Sequence, residues 1–450
     1  MNNRAVDGPA RGDNGGRADA GISKQTDEFT GRYLVLLDPD SSDQALAALE
    51  SGAGVARTQR VPGRESTGAA ELLDRGDSVL FEELGVAVVD AAPDQREALA
   101  TTAREHTGIL SLERERTVYA SQMTRTAPET ATADYLRGYQ DGVEELVQHA
   151  LERLEPGAAQ ITAEARRDET HTTWGLQATR VAESTLSGAG VNVAVLDTGV
   201  ALEHPDLVGR FGGTSSFVPG EDVGDGNGHG THCIGTSCGP LTPAVLPRYG
   251  VAYEAQVFAG KVLGNQGSGT DTGILAGMNW AVAAGCRIAS MSLGAPTDFG
   301  QPFSQVYEHA ARRALRAGTL IVAAAGNEST RPDDIRPVGH PANCPSILAV
   351  GALTEDLTVA FFSCAGFDTD GGQVDLAAPG VDILSSWPES GYRRLMGTSM
   401  ATPHVAGICA LFAEANPDAS AAEIKSLLLA GARRLPLPAV DVGVGLVQAP

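Results

Sequence analysis

The 450-residue chain is short of positive charge: 33 lysines and arginines stand against 56 aspartates and glutamates, for a formal net charge of -23. A surface that acidic repels phosphate backbones and anionic headgroups, which argues against nucleic acid and membrane surfaces as partners. Long apolar runs are missing too, and without about 18 consecutive apolar residues no transmembrane helix is expected. The opening thirty residues, MNNRAVDGPARGDNGGRADAGISKQTDEFT, lack the apolar stretch of a secretory signal. They read as a disordered polar leader, so the expectation is a cytoplasmic protein or one exported by a non-standard route. Only six cysteines occur (Cys233, Cys238, Cys286, Cys344, Cys364 and Cys409), none in C-x-x-C spacing. That spacing speaks against a zinc ribbon or a dithiol redox pair, and the missing signal favours free buried thiols over a disulfide framework. No internal repeat is evident.

What is present is the composition of a soluble globular protein, 42% hydrophobic and 20% charged, long enough for a large core-bearing domain and a smaller one. After the leader over 1–30, residues 31–120 alternate strand and helix signals. Arg32–Leu37 (RYLVLL) reads as a buried strand and Ser42–Leu49 as a short helix opened by a Ser/Asp cap. Val79–Val89 is strand-rich, Pro93–Ala100 helical, and Ile109–Tyr119 (ILSLERERTVY) alternates as an edge strand does. That order predicts a small ferredoxin-like β-α-β-β-α-β unit of the α+β class. Residues 121–167 form a linker whose middle, Asp134–Leu154, repeats apolar residues at helical spacing and predicts one amphipathic helix. From 168 to 450 the texture changes to short continuous apolar runs between Gly-rich turns, the pattern of a parallel α/β sheet buried on both faces. Its candidate strands are Val191–Leu196, Gln256–Val262, Arg287–Ser290, Thr319–Ala324 and Ile347–Val350, with helices beginning near His229, Gly273, Ser304, Ser399 and Ala421.

Four residues of this last region carry groups that peptide-bond hydrolysis by a serine requires: a hydroxyl, a base, a carboxylate to orient the base, and a donor for the oxyanion. Asp197 ends the run VNVAVL at a strand's carboxyl end, where ligand sites gather in α/β sheets but helix caps do too. His229 lies in GDGNGHGTHCIG, where glycines let backbones pack closely before a helix starts. The HGTHC cluster also suggests a metal, but no carboxylate or second cysteine stands at the spacing of a zinc site. Ser399 in GTSMATPHVAG opens an apolar helical stretch, as an N-cap or as a nucleophile at the positive end of the helix dipole. Asn327 ends TLIVAAAGNE, as a turn asparagine or an oxyanion donor. Taken singly, each residue leaves both readings open.

Taken together, VAVLDTGV, HGTHCIGT, AAAGNE and GTSMATPHVAG resemble, in order, the four signatures of subtilisin-like serine proteases over roughly Thr170–Pro450. The resemblance implies an α/β, doubly wound, mostly parallel subtilisin-like sheet and a serine endopeptidase that works through an acyl-enzyme. Ser399 would attack, His229 take and return the proton, Asp197 hold the imidazole tautomer, and Asn327 with the Ser399 amide bind the oxyanion. It implies further that KVLGNQGSG, with Gly267 and Gly269, and MSLGA are two strands that clamp extended substrate. Ser292, Leu293 and Gly294 would line the primary pocket, with Gly339 at its floor and Glu328 at its rim, leaving room for a large apolar or aromatic side chain. The 31–120 unit resembles the family's inhibitor-type propeptide. Expected partners are therefore peptide or protein substrates and the chain's own propeptide, with processing near Tyr119 or nearer Asp168, in a monomer.

No cofactor is needed for this chemistry, but calcium commonly staples the fold. Asp206 is one candidate ligand, although the segment Gly239–Gly250 lacks the usual Asn-rich loop; Asp375 with the carbonyls of Pro345 and Ile347 is another. Cys233, directly after HGTH, resembles the proteinase-K-like branch and implies inhibition by mercurials. Asp271 stands where the family often has an aromatic that forms a more distant apolar subsite, so that subsite does not carry over. Two readings compete with an active self-maturing endopeptidase: a peptide-binding pseudoprotease and a maturation protease dedicated to one partner protein.

Overall fold

The computed structural model describes residues 29–120, 167–367 and 371–450. The helix expected within Asp134–Leu154 lies outside the described residues, as does the leader up to residue 28; Phe29 and Thr30 already belong to the first strand. The N-terminal unit runs β1 (Phe29–Leu37), α1 (Ser42–Gly52), β2 (Thr58–Val61), α2 (Ala69–Asp74), β3 (Ser78–Phe81), β4 (Val86–Asp90), α3 (Arg96–Glu105) and β5 (Ile109–Ala120). Its strands lie in the order β5-β1-β4-β3-β2. Without β2, which joins the edge parallel to β3, this is the ferredoxin-like order. The sequence pattern missed β2 because three of its four residues are not buried.

A strand's side chains alternate between faces, and β1 shows what that does here. Val35 and Leu37 pack with Ala45, Leu46 and Leu49 of α1 and Leu99 of α3. Leu34 and Leu36 belong instead to a core that includes Ile274, Leu275 and Met278 of the C-terminal unit. The continuous apolar run RYLVLL thus has two coats, its own helices on one side and the neighbouring unit on the other.

The C-terminal unit opens with α4 (Trp174–Ala178) and is built on a seven-stranded sheet in the order β14-β13-β12-β10-β6-β8-β7. These strands are β6 (Asn192–Asp197), β7 (Phe211–Ser216), β8 (Gln256–Lys261), β10 (Ile288–Met291), β12 (Leu320–Ala324), β13 (Leu348–Leu353) and β14 (Leu376–Pro379), and each neighbouring pair is parallel. Short strands β9 (Ser268–Thr270) and β11 (Leu293–Gly294) stand off this sheet, and β15 (Ile383–Trp387) and β16 (Gly391–Leu395) form a hairpin. Val193 and Val195 of β6 face a core with α5 (His229–Cys238) and α8 (Thr398–Ala415). Ala194 and Leu196 face α6 (Asp271–Ala283) and α7 (Gln305–Ala317). The parallel sheet expected from the apolar runs, doubly wound as the resemblance implied, is the one observed, completed by α9 (Ala421–Gly431) and α10 (Ala439–Val442). The chain places β7 and β8 on one side of β6 and then crosses to β10 on the other, and ligand crevices of open α/β sheets form at such a switch point. Asp197 is the last residue of β6.

Candidate active site

His229 is the first residue of α5, preceded by Gly228 at φ 100°. A Cβ on Gly228 would come within 2.4 Å of the Trp387 ring, so close packing as well as the left-handed backbone demands glycine there. The imidazole Nδ1 donates to Asp197 Oδ1 at 2.7 Å, and both side chains are buried. Burial by itself would depress the His229 pKa, but the Asp197 carboxylate overrides it and holds the value well above that of an ordinary histidine. His229 Nε2 is buried and has no hydrogen-bond partner among the described residues. Cys233, one turn on, sets its thiol 3.9 Å from His229 Nδ1 and 3.6 Å from the Ser399 carbonyl oxygen. The helices bearing His229 and Ser399 therefore meet at this sulfur, whose pKa burial raises.

Ser399 is the second residue of α8, and its hydroxyl donates to the Ser292 carbonyl at 3.0 Å. Pro403, four residues on, has no N–H to give to the Ser399 carbonyl. The Ser292 hydroxyl donates to that carbonyl instead, at 2.8 Å. Serine and substrate-side strand are thus bonded in both directions. Asn327 follows β12 closely; its Oδ1 accepts from the Thr398 amide at 2.8 Å and the Thr398 hydroxyl at 2.9 Å. With the oxygen engaged there, the asparagine NH2 is turned the other way, as a donor.

Beside these residues runs a cleft bordered by β9 and β11, and β5 lies in it. Thr117, Val118 and Tyr119 pair antiparallel with Thr270, Gly269 and Ser268 of β9. On the other side Tyr119 and Ala120 pair with Gly294 and Leu293, and the Ala120 amide donates to the Gly267 carbonyl at 2.8 Å. The edge strand read from ILSLERERTVY is therefore an edge only of its own sheet; its tail is a middle strand between two others. Acidic residues just before that tail cap two helices of the C-terminal unit. Glu113 accepts from the Ser304 hydroxyl at 2.6 Å and the Val306 amide at 3.1 Å, and Glu115 from the Thr272 amide at 3.0 Å. Of the remaining expected site residues, Glu328 is exposed and accepts from the Cys364 thiol at 3.2 Å. A Cβ on Gly339 would come within 2.8 Å of the Ala295 carbonyl oxygen, so close backbone approach explains this glycine.

A base oriented by a buried carboxylate, with a helix-start serine beside a cleft that holds extended chain on both edges, belongs to the serine endopeptidases of the parallel-sheet type. The comparisons with known proteins agree. A model of the subtilase family (peptidase S8) matches residues 188–446, more than half of the chain, and the chain belongs to that family. Subtilisin Savinase of Lederbergia lenta is 42% identical over 265 residues, covering 57% of this chain and 89% of its own length. Alkaline elastase YaB of Bacillus sp. (strain YaB) is 40% identical over 311 residues, 67% of this chain and 75% of its own. M-protease of Shouchella clausii is 42% identical over 265 residues, and this chain spans only 63% of its length. None of these relatives speaks for the proteinase-K-like branch, a reading that rests on Cys233.

Protein donors face both calcium candidates. The Asp206 carboxylate accepts from the Ala244 amide at 2.7 Å, the Tyr249 hydroxyl at 2.6 Å and the Tyr392 hydroxyl at 2.9 Å. Burial and that carboxylate raise both phenols, Tyr392 to about 12, so both stay protonated donors. At Asp375 the Lys425 ammonium lies 3.6 Å from Oδ1 and donates to the Pro345 carbonyl at 3.3 Å, while Oδ2 accepts from the Ala349 amide at 2.8 Å. Ile347 is buried beside β13. In the HGTHC cluster, His232 Nε2 donates to the Ile383 carbonyl at 2.9 Å, and burial depresses its pKa to about 3. All six cysteines are free and buried.

Two supporting residues escaped the sequence reading. Asp225 Oδ1 accepts from the Thr198 hydroxyl at 2.8 Å and the Gly228 amide at 2.7 Å, and its Oδ2 from the Thr231 amide at 2.8 Å. One carboxylate thus ties the Asp197 turn to the start of α5; an aspartate inside a glycine-rich run was the available signal. Lys261, opposite Asp197 in the β6–β8 register, is fully buried; its ammonium donates to the Thr198 carbonyl and lies 3.2 Å from Glu221 Oε2. Nothing in KVLGNQGSG marks that lysine as buried, since its partners come from three separate segments.

Proposed function

We propose that the chain is a self-processing serine endopeptidase in which Ser399, His229 and Asp197 form the triad, Asn327 and the Ser399 amide hold the oxyanion, and residues 31–120 act as an inhibitor-type propeptide. In this mechanism the Ser399 hydroxyl leaves the Ser292 carbonyl, passes its proton to His229 Nε2 and attacks the scissile carbonyl carbon. Asp197 keeps the Nδ1–H tautomer and stabilises the imidazolium. Charge on the carbonyl oxygen is taken up by Asn327 Nδ2 and the Ser399 N–H. His229 then protonates the leaving amine, and water repeats the sequence on the acyl-enzyme.

The observation that carries the reading is the two-sided pairing of β5 in the cleft. One register step past the Leu293–Ala120 pair is Ser292, whose carbonyl accepts the Ser399 hydroxyl. The bond first cut therefore lies within about two residues of Ala120, rather than near Asp168, by the reach of an extended chain. Before the cut, the same segment is substrate; afterwards it is a product strand that blocks the cleft until released. For other substrates, Ser292, Leu293 and Gly294 hold the strand, Gly267 and Gly269 hold its other edge, and Gly339 with Glu328 bounds the primary pocket. No calcium is part of the proposal; Lys425 supplies the positive charge beside Asp375.

Intact mass of the purified chain beside Ser399→Ala tests this. The wild type should lose an N-terminal piece of about 120 residues while the variant keeps full length; equal masses for both would remove the self-processing reading.

A further inference from the structure

Asp271 is the first residue of α6, and its carboxylate is fully buried beneath β5. Its Oδ1 lies 3.1 Å from His340 Nε2, and its Oδ2 accepts the backbone N–H of Arg116 at 2.8 Å. The Arg116 guanidinium lies 3.7 Å from the same Oδ2 and 3.6 Å from Glu113. Arg116 Nη1 is buried without a hydrogen-bond partner, so the guanidinium is held there by charge. Around it the walls are fixed: Tyr307 stacks edge-on against His340 at 4.5 Å between ring centroids and donates its hydroxyl to the Asp271 carbonyl. Glu113 leaves with β5; Asp271 and His340 belong to the C-terminal unit and stay.

We propose that Asp271 is a specificity residue of the cleft, a subsite that selects a basic side chain at the position Arg116 occupies, four residues before that of Ala120. The inference rests on reading β5 as a substrate-like occupant. In that frame the Asp271 carboxylate does two things for a passing substrate. It binds the strand's amide whatever the residue, which aligns the chain, and it attracts a cation while repelling an acidic side chain at the same position. His340 orients the carboxylate toward the cleft, so this far subsite is a charged one built at the mouth of α6.

The test is a kcat/KM series on the self-processed full chain with ten-residue peptides of the sequence Glu115–Thr124, carrying Arg, citrulline, Ala or Glu at the Arg116 position. Arg should exceed citrulline and Ala by about five- to tenfold, with Glu slowest, as expected of a partly buried ion pair. In Asp271→Asn the gap between the Arg and citrulline peptides should close. Equal rates for the Arg, citrulline and Glu peptides would overturn the subsite and leave the endopeptidase standing. Failure of the processed chain to cut any of the four would instead overturn the reading on which it rests. Should Asp271→Asn not fold, the wild-type ratio of Arg to citrulline decides alone.

Discussion

The two units of this chain bury their sheets by different means. The C-terminal sheet is coated on both faces by its own helices, α5 and α8 on one side, α6 and α7 on the other. The N-terminal sheet has α1 and α3 on one face; its other face carries only the short α2 of its own unit and finishes its core against α6 and α7 of its neighbour. One unit is self-sufficient and the other is completed by contact. That asymmetry suits the propeptide role proposed for the N-terminal unit, because the apolar face it shows to its neighbour is covered only while docked. It also separates two kinds of residue, those that set the rate and those that set how tightly β5 lies in the cleft.

Substitutions can sharpen or break that separation. The largest effect is expected at Asp197. Asp197→Asn removes the carboxylate that raises His229, and kcat/KM at neutral pH should fall by about 10³- to 10⁴-fold. Only neutral imidazole accepts the serine proton, so wild-type activity rises as pH climbs through the raised His229 pKa; in the variant the residual activity should set in at lower pH. A pH–rate profile with an unmoved acid limb would mean that Asp197 is not what raises His229.

Asn327→Ala should lower kcat by about 10²- to 10³-fold with KM little changed, since its amide acts on charge that develops only in the transition state. Hydrogen exchange of the β5 amides in Ser399→Ala should be the same with and without this change, if rate and docking are separate properties. On the docking side, Glu113→Gln with Glu115→Gln weakens charge-assisted bonds to the Ser304, Val306 and Thr272 groups. Each such bond contributes about 1.5–3 kcal/mol, and partial loss of both should speed release of the N-terminal piece by roughly 10- to 100-fold while the cleavage rate holds. A slowed cut with unchanged release would show that the two units are not divided in this way.

The smallest effect is at Lys425. In Ser399→Ala, which removes self-digestion, Lys425→Met should lower Tm by roughly 1–3 °C, and millimolar calcium should restore it at the half-buried Asp375 carboxylate that has lost its ammonium partner. Without the lysine change, neither chelator nor calcium should move Tm. A chelator-sensitive parent would show that a cation, and not the ammonium, belongs beside Asp375.

Much of this was legible in the order of residues. The strands around Val193, Ala289, Val322 and Ala349 announced themselves because a sheet covered on both faces needs unbroken apolar runs, and Asp197, His229, Asn327 and Ser399 sit in local motifs whose glycines and helix starts are visible in one dimension. Local chemistry of that kind depends on neighbours in the chain, so the sequence by itself determined the family and the parallel sheet and marked the four candidate site residues. What it could not contain were relations between distant segments. That β5 enters the cleft, that Lys425 stands beside Asp375, that two tyrosines take up Asp206 and that Asp271 faces Arg116 were decided only when the chain closed on itself, because each is an electrostatic or hydrogen-bonded match between groups separated by 43 to 186 positions along the chain, and such matches follow from packing rather than from any pattern a local window can hold.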